Sequence, residues 1–226
     1  MLKTKGHIGK YHVPCCIIYE DFKKRNGVKA TFEEFVKSIE SFTSRYSEDV
    51  VQTYKGDMLE IFSEIFFKAF ENDARFGLKN YEPVKLENDF GVDATGVNVN
   101  GHKCAIQVKF RSNPFDDILY SDIAKTYCSG RRQLGLDLDE DNSIFIFTSA
   151  HKVTVACNNV MQSTIRLISR EVISTEVDNN KSFWEFAYSE IEKTLFNKEV
   201  KVELKKEEPK KVEIEDTRIK NQNLIL

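Results

Sequence analysis

The chain has 226 residues, of which 41% are hydrophobic and 31% are charged, and its formal net charge at pH 7 is −3. This length suffices for one α/β domain and an accessory segment. The slightly acidic balance excludes a surface that is basic throughout, so any contact with nucleic acid must come from a local basic patch. No apolar run is long enough to span a bilayer and no signal peptide is recognised, so no membrane contact is predicted.

The cysteines and histidines form no metal or disulfide pattern. There are five cysteines without a CxxC pair, and the four histidines form neither HExxH nor a zinc spacing. An odd number of cysteines that includes the adjacent Cys15 and Cys16 does not resemble a disulfide framework. The sequence therefore predicts a reducing, cytoplasmic location for a protein that is not secreted.

Residues 1–55 are predicted to form an N-terminal helical segment. The first thirty residues carry little hydrophobic periodicity. Thr31 and Glu34 then have the spacing of a capping box, and apolar residues follow at helical intervals. We expect a helix from Thr31 to about Tyr46, with packing as its role.

A second helix is predicted to begin at Gly56–Asp57, where the aspartate is a suitable N-cap. Its apolar stripe consists of Leu59, Phe62, Ile65, Phe66, Ala69 and Phe70. Glu60 and Glu64 lie on the other side, where a solvated face is the ordinary expectation. Glu60 can approach the following strands only if Ile61 and Phe67 form a second contact surface.

A short strand is predicted from Tyr81 to Leu86. Pro83 lies near its start, where an edge strand tolerates proline. Glu87 and Asp89 follow, and they are simpler to interpret as turn residues than as metal ligands.

The stretch from Asp89 to Phe110 predicts a β-hairpin. In its second strand apolar residues alternate with Gln107 and Lys109, which places these two side chains on one face. Asp93 lies on the first strand, which alternates in the same way.

The loop of this hairpin decides which residue Asp93 faces. A two-residue turn ending at Gly101 would place Asp93 opposite Val108 and bring a carboxylate into the apolar face. A three-residue loop with Gly101 in the left-handed conformation places Asp93 opposite Gln107. It also sets Val92 against Val108 and keeps one face apolar. The longer loop is predicted, because a one-residue slip is costly wherever a face is buried.

The predicted register brings a carboxylate, an amide and an ammonium group together. A carboxylate and the carbonyl oxygens of a strand are hard ligands suited to Mg²⁺. Lys109 could then orient or deprotonate an attacking water and compensate charge in the transition state. The alternative is a solvated cross-strand ion pair between Asp93 and Lys109, which is common and has no catalytic role.

After the hairpin, a helix is predicted from Asp116 or Asp117 to Leu134. Its predicted apolar side consists of Ile118, Leu119, Ile123 and Tyr127. The helix also carries four residues that could contact a phosphate backbone, although simple surface charge explains each of them as well; they are Lys125, Arg131, Arg132 and Gln133.

The remaining apolar segments complete an α/β pattern. Residues 143–149 read SIFIFTS and predict a buried parallel strand. A further strand over Ile165–Ile168 and a short helix over Arg170–Ile173 are expected to follow. The core, assigned to residues 56–197, ends with a helix from Phe183 to Phe196.

Residues 198–226 alternate lysine and glutamate and predict a solvated or flexible tail. The apolar tip, Gln222–Leu226, is similar to the short glutamine-and-leucine peptides with which bacterial replication proteins bind the sliding clamp. The alternative is a packing contact made back onto the domain.

Asp93 followed by Gln107-Val108-Lys109 resembles the PD-(D/E)xK nuclease superfamily, in the D…QxK form of Mrr-type restriction endonucleases. The order of elements from Gly56 to Ile173 is similar to the catalytic core of that family. The resemblance implies a restriction-endonuclease-like core, with a mixed central sheet flanked by helices.

The resemblance also implies the roles of individual residues. Asp93 would bind Mg²⁺, for which Mn²⁺ can substitute, and the side chain of Gln107 or the carbonyl of Val108 would complete the ligand shell. The helix before the sheet supplies a further acid in the family, and Glu60 matches that position, with Glu64 as the second choice. Lys109 would activate the attacking water. Gln107 stands where the family more widely has an acid, which implies weaker metal binding.

The implied function is a metal-dependent endonuclease that hydrolyses DNA phosphodiester bonds in restriction, repair or recombination. Many such nucleases act as dimers so that both strands are cut, so a homodimer is an expectation of the resemblance. The alternative is a non-catalytic DNA-binding or scaffold protein that retains a nuclease-like core. RNA is a third substrate, for which no residue indicates recognition of a 2′-hydroxyl.

Overall fold

A computed structural model describes residue 2 and residues 11–84, 91–153 and 163–196. The predictions for Glu87, for Asp89 and for the tail from Lys198 to Leu226 lie outside these residues. The helices of the described part are α1 (His12–Arg25), α2 (Phe32–Thr43), α3 (Glu48–Ala69), α4 (Tyr120–Leu134), α5 (Arg170–Val177) and α6 (Lys181–Phe196). The strands are β1 (Lys79–Pro83), β2 (Ala94–Val97), β3 (Lys103–Lys109), β4 (Ile144–Thr148) and β5 (Ile165–Ile168).

The strands form one mixed sheet in the order β1-β2-β3-β4-β5. The first three pair antiparallel, whereas β3, β4 and β5 pair parallel. Helix α4 makes the crossover from β3 to β4 that a parallel pair requires. β1 lies at the edge of the sheet, as its proline predicts. The α/β class and the mixed sheet flanked by helices are therefore confirmed.

The β2–β3 hairpin has the predicted three-residue loop. Ala94 pairs with Ile106 and Val97 pairs with Lys103, and the N–H of Asn98 donates to the carbonyl of His102 at 2.9 Å. Gly101, the third loop residue, has a φ of 84°, which a residue with a Cβ adopts only at a cost.

Two apolar clusters lie on opposite faces of this sheet. The larger contains Ile106, Phe145 and Phe147 and is covered by α1, α2, α3, α5 and α6. The smaller contains Ala105 and Ile144 and is covered by α4. Because successive side chains of a strand point to opposite faces, this division follows directly from the alternation within β3 and β4.

The predicted start of the long helix at Gly56–Asp57 was wrong. α3 begins at Glu48, eight residues earlier, so the division of the chain after residue 55 falls inside a helix. Gly56 is tolerated in the interior although glycine costs about 1 kcal/mol there relative to alanine. Asp57 is buried at 2% exposure and is not a cap.

The sequence also missed α1, which packs into the same core as α2 and α3. Its buried side includes Asp21 and Arg25, which form an ion pair at 2.6 Å. Two charged residues on the buried side break the apolar periodicity, which is why no helix was predicted there.

The other helices and strands follow the sequence more closely. The capping box of α2 forms, with reciprocal bonds between Thr31 and Glu34. α4 begins at Tyr120, later than predicted, and Leu119 is 52% exposed although it was assigned to the apolar side. β4 is buried along its whole length, as predicted for a parallel strand. No helix in the described part of the chain has the length and apolar character needed to cross a membrane.

Candidate active site

Asp93 lies where the β2–β3 ladder shifts by one residue. Its N–H donates to the carbonyl of Ile106 at 2.9 Å, although Ile106 is already the partner of Ala94. Such a bulge turns the side chain out of the regular alternation. The Asp93 carboxylate consequently accepts a hydrogen bond from the backbone N–H of Val108, with Oδ2 at 2.6 Å from the nitrogen.

The bulge overturns one expectation about the hairpin. Val92 and Val108 were predicted to share an apolar face, but Val108 belongs to the larger cluster and Val92 to the smaller. The register was right as far as Ala94, and the shift at Asp93 then moves the preceding residue to the other face. The sequence offers no glycine or other bulge signal at Asp93 itself.

Gln107 is buried on the α4 face at 1% exposure. Its Nε2 donates to the carbonyl of Gly91 at 3.1 Å, and its Oε1 lies 2.7 Å from the hydroxyl of Thr126. That hydroxyl also lies 2.7 Å from the carbonyl of Gly91, so its one proton serves either acceptor. The Gln107 side chain, a predicted metal ligand, is therefore buried beneath α4 with both ends of its amide in hydrogen bonds.

Lys109 is the last residue of β3 and is half-buried. Its carbonyl accepts a bond of 2.7 Å from the hydroxyl of Thr148, which fixes the backbone against β4. Strand alternation places its side chain on the same face as Gln107. Lys109 forms no ion pair with any described residue, and the carboxylate of Asp93 accepts from the N–H of Val108, so the alternative of a cross-strand ion pair between Asp93 and Lys109 is not seen there.

The acids of α3 lie on the opposite face. Ile61 and Phe67 are both buried, so the second contact surface that Glu60 requires is present. Glu60 is half-buried and accepts a hydrogen bond from the hydroxyl of Tyr11. Glu64 is buried at 3% exposure. The expected solvated face was therefore wrong for both acids.

Tyr81 connects these acids with Asp93. Its hydroxyl lies 3.0 Å from Oγ of Ser63. Burial raises the pKa of Tyr81 well above its usual value, and the negative charges of Glu64, Glu60 and Asp93 raise it further, against the lowering effect of the Ser63 hydrogen bond. Three carboxylates from two segments of the chain are thus close enough to one phenol to act on its ionisation.

Tyr11 has a related position at the start of α1. Burial raises its pKa above the usual range, and the charge of Glu60 and the hydrogen bond to it act in the same direction, with a further contribution from Asp57. Tyr11 therefore stays protonated and donates to Glu60. The sequence identified neither tyrosine, because a single tyrosine in an aperiodic or edge segment carries no signal.

The possible metal ligands around Asp93 are oxygen atoms of side chains and of the backbone. No three His, Cys, Asp or Glu side chains among the described residues are arranged so that they could hold an ion by themselves. The N–H of Val108 donates to Asp93, and the carbonyl of a strand residue points to the same side of the strand as its N–H. The carbonyl of Val108 therefore faces the segment that carries Asp93.

The predicted DNA-contacting residues of α4 separate along the helix. Lys125 is exposed beside Gly91, where a Cβ atom on the glycine would lie 3.3 Å from that of Lys125. Arg131 is one turn and a half further on and pairs with Asp139 at 2.5 Å. Arg132 and Gln133 are exposed at the same far end. Only Lys125 lies near Gln107.

No protein-family model, curated protein or solved structure matches this chain.

Proposed function

We propose that the chain is a Mg²⁺-dependent DNA endonuclease with a restriction-endonuclease-like core of the PD-(D/E)xK type. The observation that carries the proposal is the contact between the Asp93 carboxylate and the backbone of Val108, next to Lys109 at the end of β3. It joins the acid and the Gln-Val-Lys triplet of the motif at a single point. The convergence of Glu60 and Glu64 with Asp93 around Tyr81 adds the helix acids.

The donor set suits magnesium better than zinc. Mg²⁺ in phosphoryl-transfer sites is held by one or two carboxylates together with water and substrate phosphates, so a cage built only of side chains is not needed. Asp93, the carbonyl of Val108 and one of the α3 acids would supply hard oxygen ligands. Bound there, the ion would neutralise charge on the scissile phosphate and lower the pKa of water.

The residues of the chain then have distinct tasks. Asp93 is oriented by its bond from Val108, which holds one carboxylate oxygen in place and leaves the other for a ligand. Lys109, free of ion pairs with described residues, would orient the attacking water and balance charge on the phosphoryl oxygens. Gln107 positions the backbone that leads to Asp93 by donating to the carbonyl of Gly91, and the hydroxyl of Thr126 holds the Gln107 side chain in place.

The order of elements supports the same proposal. The chain runs from α3 through three antiparallel strands and α4 to the parallel strand β4. The resemblance implies this order for the catalytic core. Asp93 directly precedes the second strand, β2, and the Gln-Val-Lys triplet lies on the third, β3.

One observation favours the non-catalytic alternative. Both ends of the Gln107 amide already have partners within the fold, which is what a structural residue requires. A DNA-binding protein with a nuclease-like core would need Gln107 for packing alone. The presence of Lys109 beside Asp93 argues for catalysis, because the hydrogen bond from Val108 to Asp93 does not require a lysine at position 109.

The test is cleavage of plasmid, linear and branched DNA with Mg²⁺ or Mn²⁺. We expect wild-type protein to cut, and Lys109→Ala and Asp93→Asn each to reduce the rate by about a hundredfold or more, the usual effect of losing an acid–base group. Asp93→Asn keeps an oxygen that can accept from Val108. Lys103→Ala, at the exposed opposite end of β3, is the matched control and should cut normally.

Thermal unfolding of each variant checks that the fold is intact. Cleavage that persists in folded Lys109→Ala would contradict the assignment. DNA bound equally by wild type and variants, with no cutting of any substrate, would favour the binding-module alternative.

A further inference from the structure

The connection between β3 and α4 exposes three large apolar side chains, which we call the aromatic platform. Phe115 is 74% exposed, Leu119 is 52% exposed and Tyr120 is 45% exposed. The other exposed large hydrophobic residues of the described part are scattered over the chain, at Val28, Tyr46, Val99 and Phe196. Apolar residues concentrated in one short segment mark an interaction surface.

The backbone below the platform is fixed, so the exposure does not come from a loose loop. The carbonyl of Pro114 accepts from the N–H of His151 at 2.8 Å. Ile118 is fully buried and bridges to Val153 beside β4. The ring of His151 lies 5.3 Å from that of Phe115. The fold therefore presents the backbone of Phe115 at a fixed place on the surface.

Basic and acidic side chains both lie around the platform, and exposed Asp116 forms no ion pair with a described residue. Asp117 is engaged by Lys152 at 3.8 Å, and Asp122 by Arg111 at 3.1 Å. Lys55 lies beside the same connection, with Nζ 3.2 Å from Oγ of Ser112. Lys109 and Lys125 form no ion pair with described residues. Exposed aromatic rings among lysines are the features of a surface that holds single-stranded nucleic acid.

We propose that the platform stacks unpaired bases of a DNA strand, so that the substrate class of the site is DNA with a single-stranded portion, such as a flap or a branch. This inference rests on the proposed nuclease function. An intact duplex hides the faces of its bases, whereas an unpaired base offers its face to Phe115 or Tyr120. A chain with net charge −3 also lacks the broad basic surface that tracks a long duplex.

The distance from platform to site suits this arrangement. Tyr120 precedes Thr126, the partner of Gln107, by six residues of α4. At 1.5 Å per residue this is about 9 Å along the helix axis. At the rise of about 3.4 Å per nucleotide in a stacked strand this gap corresponds to two or three nucleotides, and a more extended single strand spans it with fewer.

The binding test uses the full chain in EDTA, so that it depends on neither metal nor cleavage. Labelled oligo(dT) is compared with a labelled duplex. We expect Phe115→Ala and Tyr120→Ala to weaken single-strand binding by about fivefold to a hundredfold each, the range for losing a stacked base. Duplex binding should change less than about twofold. Phe115→Trp should retain affinity, and Phe196→Ala, an exposed aromatic elsewhere, should be unaffected.

Three results would overturn the inference. They are unchanged single-strand affinity in the double variant, an equal loss of single-strand and duplex affinity, and a wild-type dimer that the Phe115→Ala, Tyr120→Ala variant converts to monomer. The last would assign the platform to contacts between copies of the chain. Failure of the nuclease proposal is separate, because it is measured as the absence of metal-dependent cutting by a wild type that still binds oligo(dT) through Phe115.

Discussion

The two faces of the sheet are covered by different types of side chain. The face covered by α3 is aromatic, and Phe62 at its centre has the rings of Phe35, Phe147 and Trp184 within 6.5 Å of its own. The face covered by α4 is aliphatic and contains smaller side chains such as Ala105 and Val92. Five helices contribute to the first face and one helix shields the second.

We infer that the two faces have different roles: the aromatic face mainly stabilises the fold, and the α4 face mainly shapes the candidate site. Aromatic burial is the larger source of stabilisation, and it fixes the α3 acids in a rigid frame. On the other face the smaller side chains allow α4 to lie close to β3, so that Thr126 of α4 bonds to Gln107 of β3. Asp93 lies between the two, in contact with Val108 of one strand and acting on Tyr81 of another. We expect substitutions on the aromatic face to affect folding first and those on the α4 face to affect the site.

The largest expected effect tests the aromatic face. Phe62→Ala should lower the free energy of unfolding by about 3–5 kcal/mol, because it removes a fully buried ring and leaves a cavity. Urea denaturation measures the loss. Phe115→Ala is the same substitution at an exposed position and should change the free energy of unfolding by less than about 0.5 kcal/mol. Equal losses in the two variants would remove the contrast.

The next effect tests the α4 face. Thr126→Val removes the hydroxyl that serves Gln107 and Gly91 while preserving shape; the buried Oε1 of Gln107 loses this donor, whereas the Gly91 carbonyl keeps its bond from Nε2 of Gln107. We expect a loss of about 1–3 kcal/mol in the free energy of unfolding. The cleavage rate of the folded variant should fall as well, since Gly91 leads into Asp93. Thr126→Ser keeps the hydroxyl and is the control; if it behaves like the valine variant, the hydrogen bonds are not the cause.

A pH-dependent effect is expected on the aromatic side, at Glu190 of α6. Burial alone would raise the pKa of Glu190, but hydrogen bonds from Lys68 at 2.5 Å and from Lys193 at 3.0 Å lower it below its usual value. A lowered folded pKa gives stability that is complete above the unfolded pKa of about 4.3 and is lost as the pH falls through the folded value.

Wild-type protein should therefore lose more stability than Glu190→Gln between neutral pH and the acid range. Urea midpoints measured at several pH values for both proteins give the comparison. Parallel curves would show that the buried carboxylate is not linked to folding.

The smallest effect concerns the cap of α2. Thr31→Ala removes the side-chain acceptor of the Glu34 N–H and should cost about 1 kcal/mol, while Thr31→Ser should cost only a few tenths. Thermal unfolding distinguishes the two. A loss as large as that of Phe62→Ala would mean that the cap, and not ring burial, anchors this face.

The sequence predicted those parts of the fold in which local chemistry decides the outcome. The capping box at Thr31, the loop that ends at Gly101 and the apolar run over Ile144–Thr148 each specify a structure within a few residues. Tertiary contacts decided the rest. In α1 the buried residues include a charged pair, Asp21 and Arg25, which the sequence alone suggests to be exposed. Gly56 lies inside α3, although glycine has a low helix propensity.

The candidate site was predictable in composition and less so in arrangement. Asp93 and the triplet were identified from the hairpin, but the bulge that turns Asp93 towards Val108 depends on strand pairing beyond the hairpin loop. The partners Tyr81 and Thr126 lie on other elements, and their types occur too often in proteins to signal a role. Whether the arrangement is catalytic stays a prediction.

β3 pairs on one side with β2, which is close in sequence, and on the other side with β4, which is distant in sequence. This difference has a consequence for how the chain folds. Its pairing with β2 closes a three-residue loop, whereas its pairing with β4 has to wait for α4 to cross the sheet. Local contacts of low loop entropy form early and distant ones late. We therefore expect the bond from Val108 to Asp93 to form early in folding and the bond between Gln107 and Thr126 to form late. In this order, half of the candidate site would be in place before α4 packs against the other half.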